Sequence, residues 1–351
     1  MKSLRDLTSL VRGPVPGKPL AAIWDSAPCH ASLVDGIPDM RRYYLDPDLK
    51  LSLQLLLQER FPDVLILPGV WPDLGVVVEA SVFGGQITWF ENSAPYITRS
   101  IGNLQSIDHL RPLRPGENGL TALYAVQMRQ MEERLRAMGR RMEGLVMSMG
   151  PAEVCGLVLG YDRLYISLYD DPLRLARFME IITDFIIRWL RFQETLIGEA
   201  ELVIIADHVP NQIRPSQMEE FILPSMKAIF ESFPGAIKLY HNEGYHSDAH
   251  IALIQRFGFD IWHFGSDQHN LAALYPLLDE NIVLFGGLNP HGALRLGSTE
   301  EVRLETLACL DAARGRKLLL SSGTGTTPDV IPENMMMMVK TGMGSPTEIE
   351  G

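Results

Sequence analysis

The sharpest chemical pattern in the chain is His241-Asn242-Glu243. Alternate residues of an extended segment share a face, so His241 and Glu243 can converge on one ion while Asn242 points away. A neutral imidazole and a carboxylate suit zinc, and Asp207 or His208 in IIADHVPN offers a third ligand or a general acid. A hydrogen-bonded polar pair is the plainer alternative for His241 and Glu243, and a capping role is the plainer one for Asp207. His263, inside an apolar run, reads as a satisfied core histidine before it reads as a ligand. Trp71 and Trp262 read as packing before they read as stacking on a ligand. Cys29 and His30 are adjacent, so their side chains point apart and make a poor nucleophile pair. The turn SGTGT (322–326) has no Lys or Arg beside it and makes a poor phosphate cradle. Met335 to Met338 cannot face one point at helical spacing, which favours core packing.

The elements that must position these residues alternate along the chain. Strand-like apolar runs occur at 20–24, 63–67, 145–149, 202–206, 237–240, 260–264, 282–286 and 317–321, separated by helical patterns at 119–142, 171–198, 215–233, 299–314 and 332–340. Asp171-Pro172 reads as a helix N-cap followed by Pro in the first turn. Continuous apolar strands alternating with helices predict a parallel sheet covered on its outer face. Eight such units, with no GxGxxG after the first strand, predict a single (β/α)8 TIM barrel over residues 1–343 and a polar tail at 344–351. The span 68–144 is too long for one crossover and predicts a β excursion between the second and third strands.

In such a barrel the chemistry belongs on the loops after the strands. Seven of the nine histidines fall at those ends or in a last strand turn: His30, His208, His241, His246, His263, His269 and His291. Asp25, Asp73, Asp207, Glu243, Asp248 and Asp267 join them, and the eight end segments contain no Lys or Arg. An acidic, imidazole-rich mouth suits a divalent metal or an acid–base site. The formal net charge of −12 argues against a nucleic-acid surface. Three cysteines without a CxxC pair exclude a disulfide framework, and no apolar run is long enough to span a membrane. The opening residues carry no signal-type apolar stretch, so a cytoplasmic protein is expected.

With these residues in place, the chain resembles the uroporphyrinogen decarboxylase superfamily, which includes corrinoid-dependent methyltransferases. The resemblance is carried by GPAEVCGLVLGYDRLY, IADHVPNQIRPSQMEEF, LYHNEGYHSDAHIALIQRFGFDIWHF, FGGLNPHGALRLGSTEEV and SSGTGTTPDVIPEN, and it is strongest from about 145 to 340. The decarboxylase branch would need an Arg-bearing segment after the first strand to hold a substrate with eight carboxylates. Here that segment reads IWDSAPCHASLVDG, with Asp25 and Ser26 where cations are wanted. The methyltransferase branch holds zinc with His-x-Cys and a Cys in a GCG turn. This chain keeps His241, but has Glu243 for the first Cys and Thr324, in Gly323-Thr324-Gly325, for the second. A harder zinc site suits an ether or amine better than a thiol. The resemblance therefore implies a methyltransferase of the O-demethylase type, moving methyl from a small methylated substrate to the cobalamin of a partner corrinoid protein. In that expectation His241 and Glu243 bind zinc and Asp207 and His208 are catalytic. Asp25, Trp71, Asn242, His263, Asp267 and Thr324 contact substrate. A uroporphyrinogen decarboxylase, or a barrel that only binds a small ligand, remains the alternative.

Overall fold

Residues 2–24, 26, 31–37 and 39–344 are described by the structure, a computed structural model. Asp25, Cys29 and His30, and the tail beyond 344, lie outside the described residues. The strands are β1 (Leu20–Trp24), β2 (Leu65–Leu67), β3 (Ile87–Thr88), β4 (Tyr96–Ile97), β5 (Leu145–Met149), β6 (Leu202–Ala206), β7 (Ile237–Asn242), β8 (Ile261–Phe264), β9 (Val283–Leu288) and β10 (Leu318–Ser322). All but β3 and β4 form one parallel sheet in the order β2-β1-β10-β9-β8-β7-β6-β5. These are the eight apolar runs of the sequence, curled into a TIM-barrel-type fold. The β excursion after β2 is the short antiparallel hairpin β3–β4.

Period-two alternation sorts the strands into two layers. Trp24, Leu67, Ile204, Leu239, Ile261 and Phe285 pack inside the barrel, and the helix Leu4–Arg12 closes its base with Leu4, Leu7, Leu10 and Val11. Ile23, Val203, Ile205, Tyr240, Trp262 and Leu284 face the surrounding helices. The longest of those helices, Pro172–Ile197, starts where Asp171 accepts the Arg174 N–H and stops at Gly198, whose φ of 98° is open to glycine. Met335 and Met338 are fully buried, so half of the methionine run is core.

The ends of the ladder, β2 and β5, share no backbone pairing among the described residues. Side chains line this seam. The Gln193 amide accepts from Met147 N–H (3.1 Å) and donates to Met147 C=O (2.9 Å), so the edge of β5 is satisfied without a strand. Tyr124 donates to the same amide oxygen at 3.3 Å. Beside it, the buried Glu79 accepts from Trp189 Nε1 at 3.1 Å. Burial raises its carboxyl from 4.5 to about 7.

Candidate metal centre and its cavity

Strand register places the histidines. Ala206 pairs with His241, and His241 pairs with His263. Ala206 and His241 share the inward parity, so the chain leaving β6 turns His208 inward and Asp207 outward. His208, His241 and Glu243 converge: one ligand atom from each lies within 4.8 Å of the others. Glu243 Oε2 is 2.9 Å from His208 Nε2 and 3.2 Å from His241 Nε2. That oxygen is buried, and neither contact is aligned as a hydrogen bond. Two imidazole nitrogens and a carboxylate oxygen around a shared point are what a tetrahedral zinc requires, its ligands lying roughly 3.3 Å apart. The residues present therefore fit a divalent metal.

The supporting contacts point the same way. His208 Nδ1 lies 3.2 Å from Glu153 Oε2, which also accepts the His208 backbone N–H, and Tyr161 donates its hydroxyl to Glu153. His241 Nδ1 lies 2.8 Å from His263 Nδ1. Each imidazole is thus held by Nδ1 and keeps Nε2 for the shared point, the usual support of a metal-binding histidine. Trp24 stacks on His241 at 4.8 Å and 9°, while Phe285 stacks on His263 at 4.0 Å. Burial works against charge on both Glu243 and His208. The two imidazoles nevertheless hold Glu243 far below the usual carboxylate range, and Glu153 and Glu243 push His208 up to about 10. Burial, with the neighbouring His241 adding to it, carries His263 well below its ordinary value, which favours the neutral ring.

Asp207 is fully buried on the other face. It accepts the N–H groups of Ala152 (2.9 Å) and Glu153 (3.1 Å) at the start of helix Pro151–Leu159, and that of Val209. Burial and the nearby Glu153 raise its carboxyl to about 7. It holds the N-terminus of the helix that carries Glu153 instead of facing the cavity. Asn242 is also turned outward, donating to Asp207 C=O (2.7 Å) and Tyr240 (3.0 Å) and accepting from Gly244 N–H. Asp267 is exposed, and Thr324, at φ 65°, donates its N–H to Phe264 C=O. Neither lines the cavity beside the metal residues. His263, expected against substrate, stands behind His241. His246 and His269 form a separate pair outside the barrel wall, against Trp262, and His291 is exposed.

The cavity, of about 150 Å³, has His208 and His241 in its wall and opens between aromatic faces: Trp24, Tyr44, Trp71 and Trp189. Trp71 is held by Gln54, whose side-chain amide bonds both its backbone N–H and C=O. Asp73 and Glu79 line it toward the seam, and no Lys or Arg is among its described lining residues. A space this size holds about one benzene ring. Glu153, Tyr161, Trp24 and Glu79 were not singled out by residue type. Glu153 sits in the strand-end segment GPAE, but nothing in that segment shows that it reaches His208.

Fold and site together define a TIM-barrel protein with a candidate two-histidine, one-carboxylate metal centre at the C-terminal ends of its strands. The uroporphyrinogen decarboxylase (URO-D) family profile matches residues 27–343, and the chain belongs to that family. Uroporphyrinogen decarboxylase of Prochlorococcus marinus (strain MIT 9303) is 23% identical over 334 residues, covering 89% of this chain and 87% of that protein. The enzyme of the same name from Synechococcus sp. (strain CC9605) is 23% identical over 325 residues, covering 87% and 85%. A methyltransferase from Methanosarcina mazei superposes with a TM-score of 0.78 at 16% identity, covering 97% of this chain and 98% of that one, and so shares the fold.

Proposed function

We propose that this protein is a corrinoid-dependent methyltransferase, taking a methyl group from a small methyl ether and passing it to the cobalamin of a partner corrinoid protein. The observation that carries the reading is the convergence of His208, His241 and Glu243, with both histidines in the wall of a one-ring cavity. A zinc ion held by these three residues would draw electron density from the methylated oxygen, and the partner's reduced cobalamin would accept the methyl group. Glu153 and His263 keep the two imidazoles oriented through Nδ1. The aromatic walls hold the ring in an apolar, water-poor space. His208 then serves as a ligand, and Asp207 fixes the backbone around it, so neither is the general acid.

The decarboxylase reading follows from the names of the curated relatives. A substrate with eight carboxylates is poorly matched to a cavity of about 150 Å³ with Asp73 and Glu79 in its wall and no described cation there. The test uses the full chain with zinc, a corrinoid protein reduced to cob(I)alamin, and 2-methoxyphenol, following the cobalamin spectrum. Methylcobalamin should form, and His241→Ala should abolish both zinc retention and transfer. Turnover of uroporphyrinogen, or active protein that retains no zinc, would refute the proposal.

A further inference from the structure

The cavity beside the metal residues is not confined to the barrel interior. Trp24 in its wall belongs to the inner layer and stacks on His241, whereas Val78, Tyr124 and Trp189, also in its wall, lie on helices that cover the outer face. One cavity touches both layers only where the sheet is interrupted, and the interruption is the seam between β2 and β5. Met147, Ser148 and Met149 of β5 and Trp71, in the loop after β2, line it from the two sides. The seam stays open at no backbone cost, because Gln193 already pairs both backbone groups of Met147. Its far wall is rigid: Trp189 Nε1 donates to Glu79 at 3.1 Å, and the Tyr124 and Trp189 rings meet edge to face at 5.0 Å.

Of the described residues lining the cavity, only Val76 (43%) and Ala94 are exposed. Both lie on the excursion between β2 and β5, where a Cβ on Gly75 (φ 74°) would come within 2.7 Å of the Pro95 ring. The segments Gly75-Val76 and Ala94-Pro95 therefore touch, and they frame an apolar opening on the flank of the barrel. Glu243 is not among the lining residues, yet its side chain is 40% exposed just past β7. The metal residues are thus reached by a second route, from the C-terminal face.

Resting on the methyltransferase reading for the identity of the ligand, we propose that the ring substrate enters and leaves sideways, through the opening framed by Val76 and Ala94, while the C-terminal face is left to the corrinoid partner. In-line transfer requires the acceptor on the side of the methyl carbon opposite the ether oxygen. A ring that came in by the acceptor's route could be exchanged only after the partner had left. Two openings remove that conflict, and the demethylated ring can depart while the partner is still in place. The rim also selects. Val76, Ala94 and Pro95 offer no charge and no side-chain hydrogen bond, so an ionic group passing them loses hydration without replacement, and a neutral ring does not. Val76 and Ala94 act on passage, not on the chemistry.

Stopped-flow mixing of the zinc-loaded full chain with 2-methoxyphenol, read through the emission of Trp24, Trp71 and Trp189 in the wall, separates passage from affinity. A Val76→Phe/Ala94→Phe double variant, at two exposed positions, should slow association and dissociation together by at least about 10-fold and leave Kd within about threefold of wild type. Val76→Ala should speed both rates, and it keeps the test in force if the double variant does not fold. An association rate within about twofold of wild type in the folded double variant, or in Val76→Ala if that alone folds, would overturn the proposal. So would a Kd that rises while the association rate holds, or no binding of 2-methoxyphenol by the wild type. Slowed binding in the double variant without methylcobalamin formation by the wild type would sustain the entrance and sink the methyltransferase reading. Methylcobalamin formation by the wild type, together with wild-type association in the double variant, would do the reverse.

Discussion

Glu153→Gln isolates one charge in the candidate metal centre. Glu153 Oε2 receives both His208 Nδ1 and the His208 backbone N–H, each at 3.2 Å, while Oε1 receives the Tyr161 hydroxyl. A glutamine can keep its oxygen toward His208 and turn its amide toward the Tyr161 oxygen, so the geometry survives and the negative charge does not. That charge makes the imidazole a better donor to a cation through Nε2. Loss of such an outer partner typically weakens metal binding by 10–100-fold, about 1.4–2.8 kcal/mol. Because the hydrogen bonds can re-form, the lower end is expected here, about 10-fold. Zinc affinity measured by competition with a chromophoric chelator reads this directly. Tyr161→Phe, which removes one hydrogen bond and no charge, should weaken zinc by only about 2–4-fold. A Glu153→Gln protein with wild-type melting behaviour and zinc affinity within twofold of wild type would refute the role. Glu153 would then simply anchor the loop after β6.

Three further perturbations test the surroundings. Gln193→Leu should cost about 2–4 kcal/mol in urea unfolding, because it strips the partners from Met147 N–H and C=O at a buried strand edge. The Glu79 carboxyl titrates near 7 in the folded chain and near 4.5 when unfolded, so between those values the folded state retains a proton that the unfolded state has lost. Its contribution to stability therefore falls as pH rises through that window and stays low above it. Glu79→Gln should accordingly be more stabilising at pH 8 than at pH 4, by up to about 3 kcal/mol in chemical denaturation. Trp24 lies 4.8 Å from the His241 ring, so titrating the zinc-free protein with Co²⁺ should quench tryptophan emission, and Trp24→Phe should quench measurably less. Equal quenching in the two proteins would place the ion elsewhere.

The eight strands were legible because each is a short continuous apolar run, and a run of this kind must be covered on both faces whatever its neighbours are. Only small end corrections were needed: β7 runs on through Asn242 and β9 through Leu288. The seam was not legible. β2 has three residues, and nothing local to Gln193 shows that its amide serves as a partner for β5. The hairpin β3–β4 could be anticipated only as an excursion of unspecified shape, since its two-residue strands carry almost no periodic signal.

Within the site, alternation separated His241 and Glu243 from Asn242, because all three belong to one extended segment. It left Asp207 and His208 open, since two adjacent residues past a fully buried strand carry no mark of which face is inside. The ladder decides that question. Once Ala206 stands beside His241, inward parity passes to His208, and Asp207 must point to the helix whose N–H groups it accepts. Sequence proximity also misassigned the strand-end histidines to a single mouth. Of those in the described residues, three gather at the centre inside the barrel, while His246 and His269 lie behind the wall against Trp262. Side-chain direction, not the density of imidazoles along the chain, therefore selects the candidate ligands. The charge of −12 takes on a local meaning in the same way. At the cavity it becomes two named carboxylates, Asp73 and Glu79, in a wall whose described residues include no Lys or Arg.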